Sequence, residues 1–258
     1  MSKVEIFYNI KMRLYISLIF LSFSLFVKAE EIKYQFHWLS IPVAKLSLIY
    51  NRSLVSDDKV EFMLSTQGPL KLYRNYLSRG YINKKNEKSW DYYLTGIDRG
   101  QPEEKLISYS YDHEPEIKKF TDDTGVEPIS IDSILDNGSI DPFSILIRTT
   151  QQLISNQECN KIFSVMDGKR RYQVKLSLIG KEFLRSKLLS SYEGEAYHCQ
   201  MVVLDTRDKT INLERKKWPF NGSKKVIDMW FSENLNFQVV KFQVISPLGR
   251  ITGRVVVH

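Results

Sequence analysis

Glycine and proline are scarce, with 12 and 8 among 258 residues. Their scarcity excludes a collagen-like chain, and 43% hydrophobic residues exclude a disordered one. Long apolar runs are missing with one exception, and the mean hydropathy is negative, which excludes a polytopic membrane protein. No segment repeats with a period of 20 to 50 residues, and no Pro/Gly/Ser-rich linker divides the chain. One β-rich domain over residues 30–258 is therefore the simplest organisation.

Motifs that carry chemistry are also lacking. Neither G-x-S-x-G nor a glycine-rich phosphate loop occurs. Asp123-Thr124-Gly125 matches the aspartic-protease tripeptide, but Phe120-Thr121-Asp122 breaks the apolar strand such a loop extends. No second copy completes a carboxylate dyad, so a turn is the better reading. His113-Glu114-Pro115 cannot be a zinc helix motif, because proline forbids the helix interior and no histidine follows at i+4. The four histidines, His37, His113, His198 and His258, are scattered, and Asp141 and Asp167 are accounted for as helix cap and turn. The expectation is a protein that is not an enzyme and carries no cofactor and no metal.

The one apolar run lies near the start. Lys11-Met12-Arg13 precedes Leu14 to Val27, and Val27-Lys28-Ala29 ends it with suitable residues at −3 and −1. A charged start, a short apolar middle and an alanine-ended site describe a secretory signal peptide over residues 1–29, cut between Ala29 and Glu30. An uncleaved anchor is the competing reading, but the run reaches only ~21 Å against a ~30 Å hydrocarbon core. Met12 is an alternative initiator. Cleavage removes four basic residues and one acidic residue, lowering the net charge from +7 to +4. Much of the basicity thus belongs to the export signal. The remaining clusters, Lys169-Arg170-Arg171, Arg215-Lys216-Lys217 and Lys224-Lys225, flank turn residues, so nucleic-acid binding is not expected.

Both cysteines, Cys159 and Cys199, fall in the exported part, where one disulfide is the simplest state. The loop it closes is worth ~4 kcal/mol in the chain-entropy model. A metal site built on His198 and Cys199 would need two further ligands, and no C-x-x-C or H-x-x-x-H spacing supplies them.

What is abundant is period-two alternation. Tyr172, Val174, Leu176 and Leu178 alternate with Arg171, Gln173, Lys175 and Ser177, and residues 237–246 and 250–257 behave alike. Asp167-Gly168 marks a two-residue hairpin before the first of these runs. Ten to twelve strands are expected between residues 32 and 257, with 170–180 and 183–190 among the segments. Asp141-Pro142-Phe143-Ser144 opens a helix running to about Asn156, with Asp at N-cap and Pro at N1. Phe143, Leu146, Ile147 and Ile154, with Thr150 among them, form its inward stripe, and a short second helix is expected over Leu70 to Tyr76. The fold class is mainly β (α+β): one large, strongly curved antiparallel sheet or incomplete barrel with one or two covering helices.

The Asp141-Pro142-Phe143-Ser144 helix start, the Phe163-x-Val165-x-Asp167-Gly168-x-Arg170-x-Tyr172 hairpin and the cysteines flanking it resemble an exported bacterial family. So do Tyr34-x-x-x-Trp38, Arg79-Gly80-Tyr81-Ile82 and Ile227-x-Met229-Trp230-Phe231. That family is known as domain of unknown function 3108, and the resemblance spans nearly the whole exported chain. Ala44 stands where a glycine is expected in the second strand. The resemblance implies a Gram-negative periplasmic protein of unassigned function. It also implies kinship in shape with periplasmic lipoprotein carriers, an incomplete barrel closed by helices.

Such a barrel leaves an interior that can hold an amphiphilic or lipid-like ligand in its concave face. Trp38, Trp90, Tyr92, Leu146 and Trp230 are the candidate lining residues, since Trp and Tyr are large, rigid contacts. The alternative is a structural or assembly partner that binds other envelope proteins through a sheet edge or an aromatic patch. No membrane span is expected after processing.

Overall fold

A computed structural model describes residues 30–51, 54–56, 58–122, 138–186, 192–204, 225–246 and 249–256. The expected signal peptide with Ala29, the Asp123-Thr124-Gly125 turn and His258 lie outside the described residues. Where apolar and polar residues alternate, strands form. In Ser89–Asp98, Trp90, Tyr92 and Leu94 are buried while Asp91, Tyr93 and Thr95 share the other face.

Seven strands come first: β1 (Glu30–Trp38), β2 (Ile41–Tyr50), β3 (Lys59–Thr66), β4 (Tyr76–Lys84), β5 (Ser89–Asp98), β6 (Gln101–Ser110) and β7 (Glu116–Asp122). Helix α1 (Gly68–Tyr73) joins β3 to β4, a little earlier than the Leu70–Tyr76 expected. Helix α2 (Ser144–Asn156) follows. Six more strands complete the chain: β8 (Lys161–Met166), β9 (Arg171–Leu184), β10 (Gly194–Leu204), β11 (Lys225–Ser232), β12 (Gln238–Ser246) and β13 (Gly249–Val255).

All 13 strands form one antiparallel sheet ordered β7-β6-β5-β4-β3-β2-β1-β13-β12-β11-β10-β9-β8. It is two meanders joined where β1 pairs with β13, and β7 and β8 are its open edges. A sheet this wide must curl, because each strand twists relative to the last. The curl brings the two halves together without closing the ladder. Tyr109 Oη on β6 donates to the Met166 carbonyl on β8 (2.6 Å). Ile140 bridges β8 from outside the sheet, donating to Ser164 O (2.9 Å) and accepting from Met166 N (3.1 Å). That bridge occupies backbone groups an edge strand would otherwise leave unpaired.

The strand count exceeds the ten to twelve expected. The segments 170–180 and 183–190 merge in part, since β9 runs unbroken through Gly180 to Leu184. Cys159 and Cys199 form a disulfide (Cα–Cα 6.3 Å), both fully buried, tying the segment before β8 to β10 across β9. Near the edges, Arg170 is held by Asp167 (2.7 Å) and Lys169 lies 3.8 Å from Glu103, so these two members of the basic cluster are locally compensated.

Helix α2 begins at Ser144, three residues later than Asp141. Phe143, not Asp141, is its N-cap, and Pro142 precedes the helix and is not at N1. Asp141 Oδ1 instead accepts from the backbone N–H groups of Phe143 and Ser144 at 2.9 Å, leading the chain into the first turn. The inward stripe differs from the expected one. Ile145, Ile147, Thr149, Thr150 and Leu153 are buried, Phe143 and Leu146 are half-buried, and Ile154 is 51% exposed. Thr150 was expected on this stripe and is buried, but Thr149 was overlooked, and both hydroxyls are satisfied inside. Thr149 Oγ1 donates to Ile145 O (2.7 Å) and Thr150 Oγ1 to Phe237 O (3.2 Å). With Leu153 at the centre of the buried face, Ile154 is turned ~100° away from it.

Candidate functional site

At one end of the sheet the β4–β5 hairpin stands beside the first half of α2. Its loop is fixed by Asn86, whose Oδ1 accepts from the backbone N–H groups of Lys88 and Ser89 (2.9 Å each). Between loop and helix lies a cleft of about 570 Å³. Ile82, Trp90 and Ile147 supply apolar wall, while Lys84, Lys85 and Arg148 supply cations against Asp58 and Glu87. That volume is in the usual range for small-molecule sites.

Trp90 anchors the cleft. It is nearly fully buried, stacks on Tyr109 (5.5 Å between ring centres), and donates Nε1–H to Asp141 Oδ2 (2.8 Å). Ser144 Oγ bonds the same carboxylate oxygen. Asp141 is therefore a buried carboxylate surrounded by donors. Burial holds its pKa above the ordinary value, against the pull of the hydrogen bonds from Ser144, Trp90 and Phe143.

Arg148, one turn into α2, lies over the aromatic faces of Tyr111 (5.0 Å) and Trp90 (5.7 Å). Its Nη1 donates to Gln151 Oε1 (2.9 Å). Among the described residues no carboxylate pairs with it. The lysines are more committed. Lys84 Nζ donates to Val55 O (2.7 Å), and Lys85 lies 2.7 Å from Asp91, whose hydrogen bond raises the lysine pKa. Among the described residues no group of three or more His, Cys, Asp or Glu is placed to hold a metal ion.

The expected lining residues separate. Trp90 lines the cleft. Tyr92, two residues along β5, is also buried, is not among the cleft's lining residues, and stacks near Phe62 (6.0 Å), which in turn stacks on Phe143 (3.8 Å). Leu146 is half-buried on α2 and Trp38 half-buried at the end of β1, away from the cleft. Trp230 sits on the sheet face opposite Cys199 and Met229, register partners of each other. There it stacks on His198 (4.4 Å), donates to Glu182 Oε2 (3.0 Å) and carries Lys241 Nζ 3.5 Å above its ring. His198 is bonded on both nitrogens, to Glu182 (2.8 Å) and Asp228 (2.9 Å). The two acids stand on opposite sides of the ring and cannot converge on an ion.

Arg148, Lys84 and Lys85 were overlooked by sequence reasoning. Lys84 and Lys85 lie between Asn83 and Asn86, a composition that marks a strand break, and Arg148 reads as a solvated helix residue. A weak signal existed: Arg148 follows Ile147 on a helix whose expected role was to cover the sheet.

The shape has a solved counterpart. The crystal structure of a beta-barrel-like protein of domain of unknown function DUF1849 from Brucella abortus is similar with a TM-score of 0.54. Identity is 7%, and the match covers 89% of this chain and 95% of that one, so the likeness is one of fold alone. No curated protein matches the chain. The family model "Protein of unknown function (DUF3108)" matches residues 33–256, from inside the first strand to the end of the last, and the chain belongs to that family.

Proposed function

We propose that this is an exported, non-enzymatic binding protein of the cell envelope, acting in the periplasm, whose ligand is a small amphiphile held at the cleft between α2 and the β4–β5 hairpin. An anionic group would bond to the open side of the Arg148 guanidinium. The apolar part would lie against Ile82, Trp90 and Ile147. One observation carries this reading: Arg148 rests on two aromatic rings at the mouth of the curled sheet, without a described carboxylate partner. The apolar run before Ala29 supports the compartment, and the wall beneath the arginine supports the amphiphilic character.

The reading assigns binding and no chemical step. Asp141, the nearest buried acid, is occupied by Trp90, Ser144 and the helix N-terminus. A dansyl-labelled fatty acid provides the test, read by fluorescence on titration with the exported protein. The Arg148→Ala variant should bind it at least ~10-fold more weakly, a loss of ~1.4 kcal/mol. The uncharged amide of the same probe should bind both proteins equally weakly. Equal affinity of wild type and variant for the acid, or no binding by either, would remove the cleft as the site.

A further inference from the structure

The opposite end of the same strands carries a different surface. Leu39 is 81% exposed and Leu72 is 92% exposed, with Ile41, Leu77 and Ile97 partly exposed beside them. The fold brings these five residues onto one rim. Leu77 and Ile97 are register partners at the start of β4 and the end of β5. Helix α1, which carries Leu72, is drawn onto β2 by the Gln67 N–H bond to Val43 O (2.7 Å). Gly68 sits so close to Pro42 O that a Cβ would lie 2.5 Å away, with Ile41 next to it. Arg74, directly after α1, donates two hydrogen bonds to Asp98 at the end of β5 (2.8 and 2.6 Å).

Two further features say what covers this rim. Leu39 opens the two-residue β1–β2 turn with φ 56°, in the left-handed region where glycine is the favoured residue. A backbone cost is thus retained at the position that points a leucine outward, the kind of local strain that accompanies function. The charge on the rim is also predominantly positive. Lys71 on α1 and Arg99 in the β5–β6 turn stand exposed, and with Arg74 they outnumber Asp98, which Arg74 bonds at 2.6 Å and Arg99 approaches at 3.9 Å.

We infer that this rim docks the protein onto an anionic lipid surface, with Leu39 and Leu72 entering the headgroup–acyl boundary and Lys71 and Arg99 meeting lipid phosphates. Apolar tips flanked by cations have the chemistry of interfacial membrane contact, where apolar burial and attraction to anionic headgroups add. The cleft lies at the other end of β4 and β5, so the inference stands apart from the ligand reading above.

The exported protein, mixed with vesicles of phosphatidylglycerol and phosphatidylcholine and separated by flotation, tests it. Wild type should float with the mixed vesicles, float far less with phosphatidylcholine alone, and be released by salt. Leu39→Gly should keep or raise the thermal midpoint, since glycine suits that φ, yet cut vesicle binding at least tenfold. Leu72→Ser should do the same without altering the fold, because the side chain is almost wholly exposed. Arg148→Ala should leave flotation unchanged. Wild type that fails to float with anionic vesicles, or rim variants that float like wild type, would overturn the inference. So would rim-dependent self-association in the absence of lipid, which would make the rim a protein interface.

Discussion

Two tryptophans of this protein are built alike and used in opposite settings. Trp90 donates its indole N–H to Asp141 and has Arg148 above its ring, while Trp230 donates to Glu182 and has Lys241 above its ring. Both are nearly fully buried. The carboxylates differ. Asp141 is fully enclosed beneath α2, whereas Glu182 has nearly half its side chain in water and shares it with His198. An indole–carboxylate bond is therefore a structural keystone where water is absent and a rim contact where water competes.

Removing the acid at each site is the sharpest way to test that difference. Asp141→Ala strands the Trp90 indole, the Ser144 hydroxyl and two helix-start N–H groups in the interior, and should cost ~3–5 kcal/mol in urea unfolding. A loss under 1 kcal/mol would mean water reaches Asp141. The disulfide should follow in size. Cys159→Ser should cost ~2–4 kcal/mol, an effect that vanishes when both proteins are compared in reductant.

Within α2 the contrast is between neighbours. Leu153→Ala, at a fully buried position, should cost ~2–5 kcal/mol, and Ile154→Ala, half-exposed, well under 1 kcal/mol. Equal losses would place the buried stripe elsewhere. At the outer site, Glu182→Gln should cost less than ~1 kcal/mol, because water replaces what the side chain loses. A loss as large as that of Asp141→Ala would mean that water does not reach Glu182.

Acid titration separates the buried carboxylates by sign. Asp141 is held above its ordinary value of 3.8, chiefly by burial. Its contribution is fully present below 3.8 and is lost as pH rises through the higher folded value. Asp167 is held below 3.8: burial pushes it up, but the charges of Arg170 and Lys105 outweigh it. Its contribution is present above 3.8 and is lost as pH falls through the lower folded value. Urea midpoints measured on both sides of 3.8 should therefore show Asp167→Asn converging on wild type as the solution is acidified. Divergence on acidification would reverse the assignment.

How much of this was legible can be argued from single residues. Trp90, Tyr92 and Leu94 alternate with polar neighbours, and that alternation alone identifies a half-buried strand. Asp141-Pro142 announces a helix start whatever surrounds it, because the carboxylate satisfies nearby N–H groups locally. The inward face of α2 was not legible in the same way. Thr149 is polar by letter, and it becomes an interior residue only because Ile145 offers its hydroxyl a carbonyl. Arg148 was illegible for a related reason: Tyr111 follows the end of β6 and Trp90 lies on β5, far away in the chain.

By itself the sequence determined the mainly β class, the antiparallel hairpins, the place of the long helix and a disulfide between its two cysteines. Each follows from local periodicity, turn chemistry or a count of residues. Tertiary structure alone decided the order in which the 13 strands pair, which tryptophan faces the cleft and which the outer face, and that exposed leucines gather at one end. Those outcomes depend on which distant strands pair, and pairing energy is shared among residues that no window along the chain contains.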